Sequence, residues 1–483
     1  MSNKSVKKNY IYNLSYEILL LIIPLITTPY LAAVLKAKGL GTVSYVESIV
    51  TFFMMFAILG TGKLGQREIS YVQDDKQKRS NIFWNLLTMR SITSLLCASV
   101  YLVSIFILCR NKASFIIYTL YIVNIIGIMF DVSWFFQGLE EFGKIVFRNF
   151  IFKILNVVYI FVFVKTIDDI AVYVGGLVFL QLASNLSMWV FLPKMIVKPH
   201  KGFFKMKPYL RGAIALFIPT IAIQVYTVLD KTMIGLFSSG SDQNGYYEMA
   251  TRISRISLTI VTALGAVVAP RIGYYLGKKK YVEVKNYMYR SYRFVWLLGI
   301  PLCFGLIGIA DNITPWFFHT DNNELKILIK ILSIIIVAVG LSNVTGIQYL
   351  IPKREQRLFT KTILIGASCN FALNLVLIPL FYALGAAIAS VVAEIIITTA
   401  QLYYVRKEFS IKHIFKTSRL YLIAGLIMFI LLSIESHFLK PSLINTCIMI
   451  STGALIYLLI LIIRKDEYLI EEARVITDRL KRK

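Results

Sequence analysis

Acid is scarce in this chain. Asp and Glu number 26 against 52 Lys and Arg, giving a net charge of +26 over 483 residues. Cysteine is sparse too: Cys97, Cys109, Cys303, Cys369 and Cys447 lie in or at the ends of apolar stretches, and none forms a CxxC. That excludes a disulfide frame and leaves them as small packing residues. The four histidines, His200, His319, His413 and His437, stand apart from one another, so no metal site is expected. No nucleotide loop is present. Gly60-Thr61-Gly62-Lys63 resembles a fragment of one, but it lacks the full G-x-x-x-x-G-K-[ST] spacing and a preceding strand. It reads as the flexible end of a helix. With no cofactor and no enzyme signature expected, energy for any transport must come from a gradient or from the substrate. Alternation of period two is also missing, which excludes a β-barrel.

What is there is apolar: 57% of the residues are hydrophobic. Fourteen stretches of about 20 residues or more run between residues 10 and 463, each long enough to cross ~30 Å of hydrocarbon as a helix. The first is too long for a signal peptide, has no clear cleavage site and opens a series of similar stretches, so it is expected to stay as a helix. The fold class is an all-α polytopic membrane protein, because only helices or closed barrels satisfy their backbone in lipid.

The basic residues are not spread evenly. About three-quarters of the Lys and Arg lie at the chain ends or in every second gap between apolar stretches. Intervening gaps hold few, such as Lys36, Lys38, Arg110 and Lys165. Cytoplasmic loops retain Lys and Arg, so both termini are expected in the cytoplasm, with the protein in the cytoplasmic membrane. Topology alone then explains the charge, which argues against nucleic acid as a partner and for a secondary attraction to anionic lipid headgroups.

A weak internal repeat divides the chain. Ile23-Pro24-Leu25 matches Ile218-Pro219-Thr220, and the separations Gly41 to Arg67 and Gly245 to Arg271 are both 26 residues. The expected organisation is a six-helix lobe over 1–193, a basic cytoplasmic linker over 194–211 and a second six-helix lobe over 212–405. Two added helices follow over 406–463, then a cytoplasmic tail over 464–483. Repeats of six helices keep one orientation, as in parallel-repeat transporters. The basic gap 271–293 is a candidate surface helix.

Charges inside the membrane are costly and tend to pair or to face a wet cavity. An inner-leaflet group comprises Glu17, Arg90, Asp131 and Lys153. An outer-leaflet group comprises Glu47, Asp230, Lys231, Arg252 and Arg255. Arg252 and Arg255 share one helical face and, with Glu248, make a polar stripe. Two guanidiniums side by side need an anion or carboxylate between them, and a phosphate suits their planar forks. Buried salt bridges locking the lobes are the alternative for both groups. Glu394, nearer mid-helix, is the candidate for proton or sodium coupling, and Asp230, Asp131 and Glu17 serve either coupling or salt bridges. Aromatics comprise 32 Phe, 28 Tyr and 5 Trp. Tyr226, Tyr246, Tyr247 and Trp134 could stack on sugar rings, although interfacial belts and packing account for most aromatics.

Several segments resemble the Wzx-type oligosaccharide flippases, a branch of the multidrug/oligosaccharidyl-lipid/polysaccharide exporter superfamily. They are Gly65-Gln66-Arg67-Glu68-Ile69, the run from Trp134 to Glu140, and the run from Tyr226 to Asp230-Lys231. Others are Gly245-Tyr246-Tyr247 through Arg252 and Arg255, and Ala269-Pro270-Arg271. Asn374 to Pro379, followed by Gly385 to Ala389, is similar to that family's tight hairpin between helices 11 and 12. The resemblance implies a V-shaped pair of six-helix lobes and no enzymatic step. It implies a substrate of undecaprenyl-pyrophosphate-linked oligosaccharide, moved to the outer leaflet for capsule, exopolysaccharide or O-antigen assembly, with a polysaccharide polymerase as a partner. It also implies a cationic cavity whose members here would be Arg252, Arg255, Lys231, Lys153 and Arg90, holding the pyrophosphate. The rivals are a lipid II flippase, a cation-coupled multidrug exporter and a membrane glycosyltransferase or polymerase. The intramembrane Lys and Arg argue against the exporter, and the short outer gaps argue against the transferase.

Overall fold

The computed structural model describes residues 6–111, 114–199, 206–238 and 240–471. Side chains are described from residue 19 onward, apart from 218–220, 222–223, 225–226 and 266. Glu17 and Tyr226 therefore lie outside the described side chains, as do much of the basic linker and the last part of the tail. The described residues are helical and contain no strand. The helices are α1 (Val6–Ile58), α2 (Thr61–Ser70), α3 (Lys76–Cys109), α4 (Phe115–Leu120), α5 (Ile122–Gly127), α6 (Ser133–Gly138), α7 (Phe142–Phe163) and α8 (Ile170–Ser187). They continue as α9 (Lys207–Phe237), α10 (Asp242–Gly277), α11 (Tyr281–Phe317), α12 (Asn323–Asn343), α13 (Gln356–Val405), α14 (Ile411–Phe438) and α15 (Leu443–Ile463).

Eleven helical stretches among the described residues are long and apolar enough to cross a membrane. The difference from fourteen has a physical origin. α1 and α13 are 53 and 50 residues long, so each would reach about 75–80 Å if straight. Neither is straight. α1 breaks at Lys36 (φ 55°) and α13 at Tyr382 (φ 46°), so each stretch joins two helices. α9, 31 residues long, is a further long helix outside the eleven.

The chain forms two compact units, Met1–Gly245 and Tyr246–Lys483. In the first, α3 packs on α1, α7 on α8, and α2 on α6. The α2–α6 contact depends on glycine. A Cβ on Gly65 would lie 2.2 Å from the Trp134 ring, and one on Gly138 would lie 2.7 Å from Ile69. Trp134 is thereby buried in an aromatic cluster with Phe83 and Phe135. It is a packing residue and does not offer its face to a sugar. Gly60-Thr61-Gly62-Lys63 is likewise not a flexible helix end. Gly60, at φ 69°, turns the chain into the separate helix α2, and Thr61 is fully buried.

In the second unit, α11 is the hub against which α12, α14 and α15 pack. The basic segment around 271–293 is not a separate surface helix. α10 and α11 simply run on through it, with a turn at 278–280. The hairpin inside α13 follows the expected glycine. A Cβ on Gly385 would lie 2.2 Å from the Leu377 carbonyl oxygen, so the two arms close only with glycine there. The described start of the tail binds back on this unit. Glu467 lies 3.7 Å from Arg293, Glu471 lies 3.6 Å from Arg290, and Tyr421 donates to Asp466.

Candidate functional site

The fourth span is broken. It runs through α4, α5 and a 3₁₀ turn (Ile128–Phe130), leaves helical geometry at Asp131 (ψ 104°) and resumes as α6. A break within lipid frees backbone groups that must find partners in the protein. Arg90 on α3 supplies them. Its Nη1 donates to the Asp131 carbonyl oxygen and lies 3.6 Å from the Asp131 carboxylate, while its Nε donates to Thr61 Oγ1 at 2.9 Å. The Arg90 side chain is 3% exposed and that of Asp131 is 36% exposed.

From Asp131 the network runs outward along hydrogen bonds. Ser133 Oγ donates to Asp131 Oδ1 at 2.5 Å, and Arg148 Nη1 on α7 donates to Ser133 Oγ at 3.0 Å. Arg148 Nε and Nη2 both donate to Asn149 Oδ1, at 3.0 and 2.7 Å. Arg148 then lines two cavities within this unit. One, of about 460 Å³, also takes Glu47, Asn149, Lys153, Asn156 and Gln181. The other, of about 210 Å³, takes Asn124, Asp131, Ser133 and Asn185. Asn124 Oδ1 is buried with no hydrogen-bond partner among the described residues. Around the larger cavity a guanidinium and an exposed ammonium outnumber the one carboxylate, Glu47, and with the amides beside them can receive an anion with hydroxyl-bearing neighbours.

Asp131→Ala should destabilise the protein by about 1–3 kcal/mol. That is below the ~3–5 kcal/mol for breaking a fully buried pair, because Asp131 is over a third exposed. Thermal unfolding in detergent measures it.

The structure brings the inner charges into two roles. Arg90 and Asp131 pair in the interior, whereas Lys153 is exposed along the larger cavity. Arg148 was missed by sequence reasoning because it sits close to a helix end and looks like a loop cation. The polar repeat beside it, Asn149, Lys153 and Asn156 at spacings of four and three along α7, was the available signal. Among the outer charges, Asp230 is buried, and the carbonyl of Lys231 accepts from Asn244 Nδ2 at 3.0 Å. In the second unit, Arg252 Nε donates to Glu248 Oε1 at 2.7 Å, while Arg255 is exposed. Glu394 is half-buried on α13. Tyr247 is buried and bonded to Ser390 Oγ at 3.2 Å.

Comparison with known proteins decides the lineage. The model of the polysaccharide biosynthesis protein family matches residues 6–276. The chain belongs to the polysaccharide biosynthesis protein family. The MatE family model also matches, over residues 215–380. An Escherichia coli K12 protein assigned by name as an O-antigen transporter is 25% identical over 414 residues, 84% of this chain and 97% of its own. A Haloferax volcanii protein whose name assigns it as a low-salt glycan biosynthesis flippase is 26% identical over 59% of this chain and 63% of its own. Among solved structures, the lipid II flippase MurJ in an inward closed conformation matches with a TM-score of 0.73 at 16% identity, covering 95% of this chain and 99% of that one. An inward-facing MATE family transporter matches at 0.58, with 14% identity, covering 82% and 99%. These structural likenesses establish the fold: this family member is a multi-pass, all-helical membrane protein. Its relatives are named as transporters and flippases, not as enzymes.

Proposed function

We propose that this protein moves undecaprenyl-pyrophosphate-linked oligosaccharide units across the cytoplasmic membrane by alternating access, for assembly of capsule, exopolysaccharide or O antigen. The observation that carries the reading is the 460 Å³ cavity lined by Arg148 and Lys153 in a polysaccharide biosynthesis protein. Phosphate needs such cations, and lipid offers none. The names of the relatives support the glycan part. The reading includes fourteen crossings, with α1 and α13 each counted twice and α9 added. It also includes the six-plus-six helix repeat, both termini in the cytoplasm, and a polysaccharide polymerase downstream. Arg252, Arg255 and Lys231 are assigned to the pyrophosphate as well, Arg90 acts through Asp131, and Glu394, Asp230 or Glu17 couples an ion. The MatE match favours one second reading, a cation-coupled drug exporter.

Deletion of the gene separates these readings. The expected result is a viable strain without surface polysaccharide, restored by the wild-type chain but not by Arg252→Ala or Arg255→Ala at equal protein level. Lethality would point to lipid II instead. Drug sensitivity with intact polysaccharide would point to the exporter.

A further inference from the structure

The first unit holds a third, larger cavity of about 590 Å³, lined by residues such as Lys38, Tyr45, Tyr118, Asp168, Ser241 and Asn244. Its place follows from three separate elements. Along α1 the lining passes from Lys38–Val46 in this cavity to Glu47 in the second and Met54–Ile58 in the smallest. Along α4 and α5 it passes from Ser114–Tyr118 to Tyr121–Asn124 and then Asn124–Asp131. Along α8 it passes from Ile170 to Leu177–Ser184 and then Gln181–Asn185. All three give the same order, so the cavities form a file spanning about 22 Å at 1.5 Å per residue between Ile170 and Asn185. The large cavity sits at the end away from the heavily basic loops.

Its chemistry differs from that of its neighbour. One ammonium and one carboxylate, Lys38 and Asp168, stand at an exposed rim. Asp168 is a different case from Asp169, whose carboxylate accepts from Lys165 N and Thr166 N at 2.9 and 2.8 Å. The remaining polar lining is hydroxyl and amide, which donates and accepts alike. Tyr45 is fixed in place, since a Cβ on Gly235 would lie 2.1 Å from its ring. Asn244 is fully buried, and its Oδ1 has no partner among the described residues. The partly exposed Tyr45 ring beside hydroxyls and amides matches a sugar ring, which is apolar on one face and hydroxylated at its edge. The volume lies within the ~300–1,000 Å³ that encloses a small organic ligand.

We propose that this cavity is a saccharide subsite, which holds the uncharged part of the glycan while the neighbouring Arg148–Lys153 cavity holds phosphate. It rests on the flippase reading given above.

The test uses the full chain in lipid nanodiscs. The probes are the host's repeat-unit oligosaccharide, freed of lipid and phosphate by mild acid, and inorganic pyrophosphate. Binding is read by calorimetry and saturation-transfer NMR. Thr42→Trp, which fills the cavity, should weaken oligosaccharide binding at least tenfold and leave pyrophosphate binding unchanged. Tyr45→Phe, which keeps the ring but loses the hydroxyl, should weaken it about threefold to tenfold, and it decides the matter if Thr42→Trp does not fold. No oligosaccharide binding by the wild type, or equal binding by the folded variants, overturns the subsite. The deletion phenotype reads the flippase assignment separately, so a lost subsite and a wrong function give different results.

Discussion

Replacing Arg148 and Lys153 together by alanine should cut transport of lipid-linked oligosaccharide by at least about 100-fold, with folded protein near wild-type yield. The size follows from the chemistry. A charge-assisted hydrogen bond contributes about 1.5–3 kcal/mol, so losing two removes about 3–6 kcal/mol, and each 1.4 kcal/mol is a factor of ten. The fold should survive because Lys153 is exposed and the buried Arg90–Asp131 pair is left in place. Single variants should fall between, and Lys153→Arg should keep most activity. Transport is measured in proteoliposomes with the lipid-linked oligosaccharide, and yield by size-exclusion chromatography. Near-normal transport in the double variant would remove the phosphate role of this cavity.

Gly41→Val should leave almost no folded protein. A Cβ there would lie 1.7 Å from the Ser241 carbonyl oxygen and 2.7 Å from the Gly245 amide nitrogen. Both are backbone atoms of the turn into α10, so no side-chain rotation relieves the clash. The cost should exceed about 4 kcal/mol, a large part of the ~5–15 kcal/mol that holds a typical domain folded. Gly175→Ala is the control, because a Cβ there meets nothing within 4 Å. Fluorescence-detected chromatography of tagged protein compares the two. Wild-type yield for Gly41→Val would show that the α1–α10 approach is looser than described.

Much of the fold was legible in the sequence because lipid imposes simple rules. Apolar length marks helices, and Pro24, Gly41 and Gly385 mark real features of helix, crossing and hairpin. Where reading failed, the missing information was long-range. Arg90 and Asp131 are 41 positions apart on different helices, and nothing local says that one caps the break of the other's span. The same holds for Gly65 and Trp134, whose segments look like family signatures but are the two sides of one contact. The breaks at Lys36 and Tyr382 do fall in gaps between apolar stretches, although neither carries the glycine that a positive φ favours. Tertiary packing holds these residues where local preference would not place them.

The interruption of the fourth span has a last consequence. From Ile128 to Ser133 there is neither proline nor glycine to enforce the bend. A single guanidinium, gripping a carbonyl and a hydroxyl on two sides, acts as an electrical latch at this joint. A lysine in its place would offer a point charge without that planar fork, so this joint is built for arginine alone.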